Sequence, residues 1–303
     1  MRETQMADFF RSLGHKIVQT RSCFWYSSHR FLFKNLPIHR NVDPSQSELA
    51  KVMFRGAALA IRYPSTSSEA SADGGIYVCT DRNYDFASLT ANARSHTRRG
   101  LARNTVEQID FNDLAVKAYP LIAETNLRQT GKAPSRSEAH WKSFCELSRR
   151  SPGLEAWGAF VDGELAAFIV SMLAEDCYYI HLQKSASALL KHYSNNALLF
   201  TVMKSALARP EVGWVSNGQI ALAAKEGLYH FKTSMGFEIH PFKEQVVFNP
   251  IVRPGLWAGR GSPAGWRELI RKISSGEERR GRSTWLEIED RPRIGGLLAG
   301  AGS

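Results

Sequence analysis

Metal-type cysteine pairs, long apolar runs and an excess of acid are all missing from this chain. Its four cysteines, Cys23, Cys79, Cys145 and Cys177, are widely scattered, with no C-x-x-C pair and no histidine at ligand spacing. That spacing argues against a disulfide framework and against a zinc site, and predicts buried free thiols in a reduced, cytoplasmic protein. No apolar run approaches the roughly 18 residues that would cross a membrane. The opening residues, Met-Arg-Glu-Thr-Gln-Met-Ala-Asp, lack the apolar core of a signal peptide. No internal repeat of solenoid type is evident. Acid is in deficit: 39 Lys and Arg against 29 Asp and Glu give a net charge of +10. A basic surface favours phosphates, nucleotides, nucleic acid or anionic lipid, although a basic tail alone gives the same total.

What is present is ordinary globular material. The 303 residues are 43% hydrophobic and 22% charged. This suits one large domain or two of about 150 residues each, with a core that needs no disulfide or metal.

The clearest pattern runs from Leu154 to Pro250. Ala156–Val161 is short and apolar, Asp162-Gly163 is a strong two-residue hairpin signal, and Leu165–Leu173 is a second apolar run. Ala174-Glu-Asp176 makes another turn before Cys177–Gln183, so three antiparallel strands follow in succession. A helix begins at Ser194 or Asn195, either a good N-cap, with Leu198, Leu199, Val202, Met203, Ala206 and Leu207 as its apolar face. Trp214–Ser216 reads as a brief strand. Then comes Lys225-Glu-Gly-Leu-Tyr-His-Phe-Lys-Thr-Ser-Met-Gly-Phe237, an amphipathic helix stopped by Gly236, with Phe237–Phe248 as the last strand. Leu228, Phe231 and Met235 form its apolar stripe, with Lys232 beside it. Upstream, Asp110 caps a helix through Leu127, and Ser135-x-x-Glu138 is a capping box for another through Leu147. Val106–Ile109 would be the first strand of this region.

Nearer the start, Ser45-x-x-Glu48 opens a helix over Leu49–Phe54, and Gly56–Tyr63 and Ile76–Cys79 read as strands around a loose Pro64–Gly75 loop. Phe24-Trp25-Tyr26 is an aromatic cluster for a core or for stacking on a base or sugar. After Pro250, Arg, Gly and Pro rise, and only Trp266–Ile273 reads as a short helix.

The order β-β-β-α-β-α-β, closed by a helix, Gly236-Phe237 and a strand, resembles the GNAT acyltransferases. Most of these carry a tyrosine four residues before that glycine. This chain has Lys232, and Phe231-Lys232-x-x-x-Gly236-Phe237 resembles the Fem-like branch, whose members attach amino acids or other acyl groups to amines. The resemblance implies an α/β (α+β) GNAT fold in tandem. An abbreviated N-terminal unit would occupy residues 1–90, a basic linker helix 91–104, a complete GNAT domain 105–250 and a basic appendage 251–303.

It also implies site residues. Lys232 would supply a cation to an oxyanion or a phosphate, although a lysine on a helix usually faces solvent. Tyr229, one turn earlier, is a proton donor if it faces the cleft and otherwise a core-edge residue. His181, with Gln183, lies where the fourth GNAT strand splays from the fifth; it is either a general base or a satisfied strand histidine. Ser216 and Asn217 would face the same gap, or serve only the Asn217-Gly218 turn. The glycine-rich phosphate loop of CoA-dependent GNAT enzymes is absent from Lys184–Asn196, leaving Lys191 and the helix amides near Asn195 and Asn196 for an anion. Arg94 and Arg98 share a helix face and could hold a phosphorylated acceptor or a tRNA end, or be solvated. Arg128, in Glu124-Thr-Asn-Leu-Arg128-x-x-Gly131, either contacts substrate or caps carbonyls.

The resemblance thus implies an N-acyltransferase. It would move an acyl or aminoacyl group from acyl-CoA or aminoacyl-tRNA, without a metal, to a sugar-linked or peptide amine in envelope or polysaccharide synthesis. The rival from another class is a catalytically inactive GNAT-fold module that binds nucleic acid or another anionic polymer. A third is a scaffold that docks through the C-terminal helix.

Overall fold

The computed structural model describes residues 1–29, 31–66, 72–219 and 226–252. The chain runs α1 (Glu3–Ser12), β1 (Ile17–Gln19), β2 (Phe24–His29), β3 (Leu32–Leu36), α2 (Gln46–Gly56), β4 (Ala60–Ser65), β5 (Ala72–Cys79) and α3 (Ala91–Leu101). It continues β6 (Thr105–Gln108), α4 (Phe111–Lys117), α5 (Tyr119–Thr130), α6 (Glu138–Arg149), β7 (Leu154–Val161), β8 (Glu164–Ala174), β9 (Cys177–Ser185), α7 (Ser194–Leu207), β10 (Trp214–Gln219), α8 (Glu226–Ser234) and β11 (Glu238–Phe248).

All eleven strands join one mixed sheet in the order β1-β2-β3-β4-β11-β5-β10-β9-β8-β7-β6. The meander β7-β8-β9 is antiparallel, and its first turn has Asp162 at φ 50° and Gly163 at φ 82°, the double positive φ of a type I′ hairpin. The last strand does not lie at an edge. It inserts between β4 and β5, antiparallel to both, and so joins the N-terminal strands to the rest.

Apolar residues then sort by face. Trp157, Ile169, Tyr178, Ile180 and Val215 pack beneath α3 and α7, together with Met235 and Phe237. Phe168, Val170 and Leu182 point the other way, beneath Leu114, Ile122, Trp141 and Phe144 of α4, α5 and α6. Toward the N-terminus, Trp25, Phe33 and Ile61 pack against Leu49 and Val52 of α2, and Tyr26, Leu36 and Tyr179 against Met6 and Phe10 of α1. Trp25 and Tyr26 are therefore core. The four cysteines are free and buried, and burial raises the Cys145 thiol to about 12.

Several boundaries differ from the sequence reading. The helix capped by Asp110 stops at Lys117; a second begins at Tyr119 because Pro120, which lacks an amide hydrogen, sits in its first turn. The cap of α6 is Ser137, whose hydroxyl accepts from the His140 amide, in place of Ser135. Neither Ser194 nor Asn195 caps α7; Tyr193, at φ 55°, turns the chain into it. Gly56 ends α2 instead of opening a strand, and Ala57 takes the left-handed cap. The expected loop is shorter, since Pro64 and Ser65 close β4 and residues 72–75 open β5. The Trp266–Ile273 helix, and the tail beyond residue 252, lie outside the described residues. No described helix is long and apolar enough to cross a membrane.

Candidate active site

The two parallel neighbours β9 and β10 pair only at Cys177–Tyr179 and Trp214–Ser216. Beyond that they diverge. β9 carries an extra residue there: Ser171 pairs with Ile180 and Val170 with Leu182, so His181 is a β-bulge. On the other strand the register with β5 shifts between Ser216 and Gln219, around Gly218 at φ 78°. Two irregularities thus face each other across a cleft that opens from Tyr179/Ser216 toward Ser185.

Lys232 closes the narrow end. Although it comes from a helix, it is only 3% exposed. It is more deeply buried than Leu228 and Phe231, which are half-buried. Its Nζ donates to the Asn217 carbonyl oxygen at 2.8 Å and lies 4.5 Å from the centre of the Tyr77 ring. A cation is thereby fixed where β10 leaves β9. Ser216 is fully buried, and its hydroxyl has no partner among the described residues. Tyr229 points outward, 40% exposed, with its ring edge-on to His230.

His181 does not share that pocket. Its ring stacks on Phe144 of α6, 6.3 Å away and nearly parallel, on the sheet face opposite Tyr77 and Lys232. Desolvation there, with a smaller contribution from His15, lowers it to about 4, so the imidazole is neutral at pH 7. On that face His39 contacts the Tyr179 hydroxyl and is likewise held at about 4 by burial.

The wide end gathers more of the expected residues. Gln183 Nε2 donates to Asn195 Oδ1 at 3.1 Å, and Asn195 Nδ2 donates to Ser185 Oγ at 3.0 Å. Arg128 donates to the same Ser185 hydroxyl at 3.1 Å and to Ser187 Oγ at 2.6 Å. Thr125, one turn before Arg128, accepts from the Ser185 amide and donates to its carbonyl, and Glu124 accepts from the Ser187 amide at 2.6 Å. Helices from opposite faces, α5 and α7, thus converge on the end of β9. Neither Thr125 nor Ser185 carries a local sequence signal for this pairing, because the two lie 60 residues apart in the chain.

The start of α7 offers amides to this mouth. Those of Ser194 and Asn195 have no backbone acceptor among the described residues, as the first turn of a helix dictates. In this turn His192 Nδ1 and Ser194 Oγ are buried with no partner among the described residues, as is Oδ1 of Asn104, whose Nδ2 donates to the His192 carbonyl at 3.0 Å. Arg99 lies over the Tyr193 ring, and Lys191 is exposed beside it. Asn196 instead reaches Met235 Sδ at 3.5 Å. Arg94 clamps the Phe86 and Leu89 carbonyls, and Arg98 lies 5.0 Å over the Phe86 ring, so this pair braces the loop before α3. Among the described residues no group of His, Cys, Asp or Glu could hold a metal ion.

No protein-family model and no curated protein matches the chain. Solved structures do. FemX aligns with a TM-score of 0.54 at 12% identity, over 83% of this chain and 93% of its own. A C-terminal DUF2156 domain from Agrobacterium fabrum, assigned to a lysylphosphatidylglycerol synthetase, gives 0.56 at 13%, over 84% and 91%. L-PGS from Bacillus licheniformis gives 0.53 at 14%, over 88% and 92%. At such identities the likeness is one of fold: the chain shares the fold of these three proteins.

Proposed function

We propose that this chain is an N-acyltransferase that moves an acyl or aminoacyl group from an activated donor to an amine through the β9–β10 cleft. The observation that carries this reading is Lys232, a buried ammonium held on the Asn217 carbonyl at the point where the two strands part. The proteins it resembles in fold include one assigned to lysylphosphatidylglycerol synthesis, an aminoacyl-bearing product.

In this scheme the donor's carbonyl lies at the narrow end. Its anionic portion lies at the wide end, on the first amides of α7 and near Lys191 and Arg128. A neutral acceptor amine attacks the carbonyl carbon. The C–N bond forms, the carbonyl oxygen gains charge, and Lys232 with nearby backbone amides stabilises it. The C–O or C–S bond then breaks, and the amine's proton ends on the leaving group. Water carries that proton at neutral pH, because His181 lies on the far face with its proton affinity depressed. Donors of both kinds, acyl-CoA and aminoacyl-tRNA, fit this scheme. The missing glycine-rich loop favours a donor whose anion is held by side chains as well as amides, and so aminoacyl-tRNA.

The test is a melting curve with acyl-CoA, free CoA and aminoacyl-tRNA, followed by a transfer assay to a free amine. A donor at a hundred times its Kd should add about 2.7 kcal/mol. Lys232→Met, which keeps the packing on Tyr77, should retain most of that stabilisation and lose about 100- to 1,000-fold in kcat. Tight binding of an anionic polymer that falls steeply with salt, with no transfer from any donor, would favour the inactive binding module instead.

A further inference from the structure

At the edge of the sheet remote from the cleft lies an open groove of about 380 Å³, lined by Ile17, Val18, Gln19 and Thr20 of the β1 segment and by Lys51 and Arg55 of α2. β1 is the terminal strand, with β2 on one side only. The Thr20 amide donates to the Cys23 carbonyl and the Ser27 amide to that of Lys16. The antiparallel alternation therefore turns the backbone groups of Val18 toward β2 and leaves the amides and carbonyls of Ile17 and Gln19 pointing off the edge. Although short, the strand has no proline, no bulge and no charged side chain, three common means of blunting an edge. Lys16 Nζ donates to the Gly56 carbonyl at 3.4 Å, and the Ser22 amide donates to Glu48 Oε1 at 2.8 Å. The chain on either side of β1 is thus tied to α2, and the groove is formed before anything enters it.

The charges around the groove select its occupant. Lys51 and Arg55, one helical turn apart and both exposed, have no carboxylate partner among the described residues. Glu48, one turn before Lys51, is taken up by the Ser22 and Ser45 amides. Val18 packs with Leu49 and Val52, so its side chain lies on the α2 face of the sheet. In an added strand the residue beside Val18, and those two positions away, face the same way. Two carboxylates at i, i+2 of a strand stand about 7 Å apart. Two cations at i, i+4 of a helix stand about 6 Å apart along its axis. A second copy fits poorly: antiparallel pairing of two β1 edges about a two-fold axis would put both α2 helices on one face and bring their cations together.

We propose that the β1 edge docks an extended acidic segment of a partner protein, which adds as an antiparallel strand and sets alternate carboxylates on Lys51 and Arg55. The probe is a dye-labelled peptide, Thr-Val-Glu-Val-Glu-Val-Thr, titrated into the full-length chain by fluorescence anisotropy. Saturable binding is expected, with hydrogen–deuterium exchange at the Ile17 and Gln19 amides at least about tenfold slower in the complex. Lys51→Glu with Arg55→Glu should weaken binding at least about tenfold, and that variant should instead bind the peptide with lysine at both glutamate positions. Both positions are exposed, and an unchanged melting curve checks that the variant folds. Glutamates that face α2 beside Val18 turn their own amides away from β1, while the valine amides meet Ile17 and Gln19. N-methylation at the valines should therefore abolish binding, and N-methylation at the glutamates should spare it. Absence of saturable binding overturns the proposal. Binding that ignores the charge exchange or the site of methylation, or that tRNA displaces equally well, makes the groove a general anion patch and also overturns it. Protection of the two amides that rises with protein concentration, without peptide, assigns the edge to a second copy and does the same.

Discussion

At the scale of single residues, burial decides what each ionisable group can do. Lys232 stands beside the apolar stripe in the sequence, yet it is the buried member of α8, because β10 turns a carbonyl toward it. That carbonyl follows from the Asn217-Gly218 turn, so the place of Lys232 before Gly236 was legible as a motif while its burial was not. His181 shows the reverse: its place opposite the splay was legible, but a bulge sends the ring to Phe144. Its native pKa of about 4 lies below the free-histidine value of about 6.5. Between those values the unfolded chain binds a proton that the native protein refuses. Stability is therefore complete above about pH 6.5 and falls as acid approaches pH 4. His39 and His140, each lowered to about 4 by burial, act in the same direction. The melting temperature should drop between pH 7 and pH 5, and less so in His181→Gln; equal slopes for the two proteins would show that His181 is not among the groups responsible.

Elements with strong local signals were legible. The β7–β8 turn follows from Asp162-Gly163, and the end of α8 from Gly236 at φ 86°. The strands β1–β3 were not, since β1 has three residues and β3 buries Lys34 and Asn35 among its apolar positions, which erases the alternation. The α3–α7 junction was hidden for another reason: it depends on Gly100, which looks like a helix weakness. A Cβ there would stand 2.7 Å from the Tyr193 carbonyl oxygen and 3.1 Å from Ala197 Cβ. Gly100→Ala should gain about 1 kcal/mol in helix propensity. It should lose about 1–3 kcal/mol to overpacking, and the loss should prevail because the obstructing atom is backbone at the turn that starts α7. A lower melting temperature, together with weaker stabilisation by the donor, is the expected pair of results. A rise in melting temperature would mean that Tyr193 yields easily and that the entry into α7 is not fixed by this contact.

For the whole molecule, the decisive feature is the one that no local pattern announces: the last described strand fills the place between β4 and β5. A sheet assembled this way cannot complete its N-terminal half before its C-terminal residues arrive. Arg62 of β4 and Glu244 of β11 mark the seam, with Nε donating to Oε1 at 2.6 Å and side chains 9% and 3% exposed. Removing one member of a buried ion pair leaves the other charged in a poor solvent, at a cost of about 3–5 kcal/mol. Replacing both with apolar residues of similar size is often close to neutral. Glu244→Gln should therefore lower the melting temperature sharply, and Arg62→Met with Glu244→Leu should recover most of the loss. Because β11 is bonded to both halves, calorimetry should show the entire transition moving in the single variant. A split trace, in which an N-terminal event moves down and a second event stays in place, would mean that the two halves fold apart despite the shared sheet.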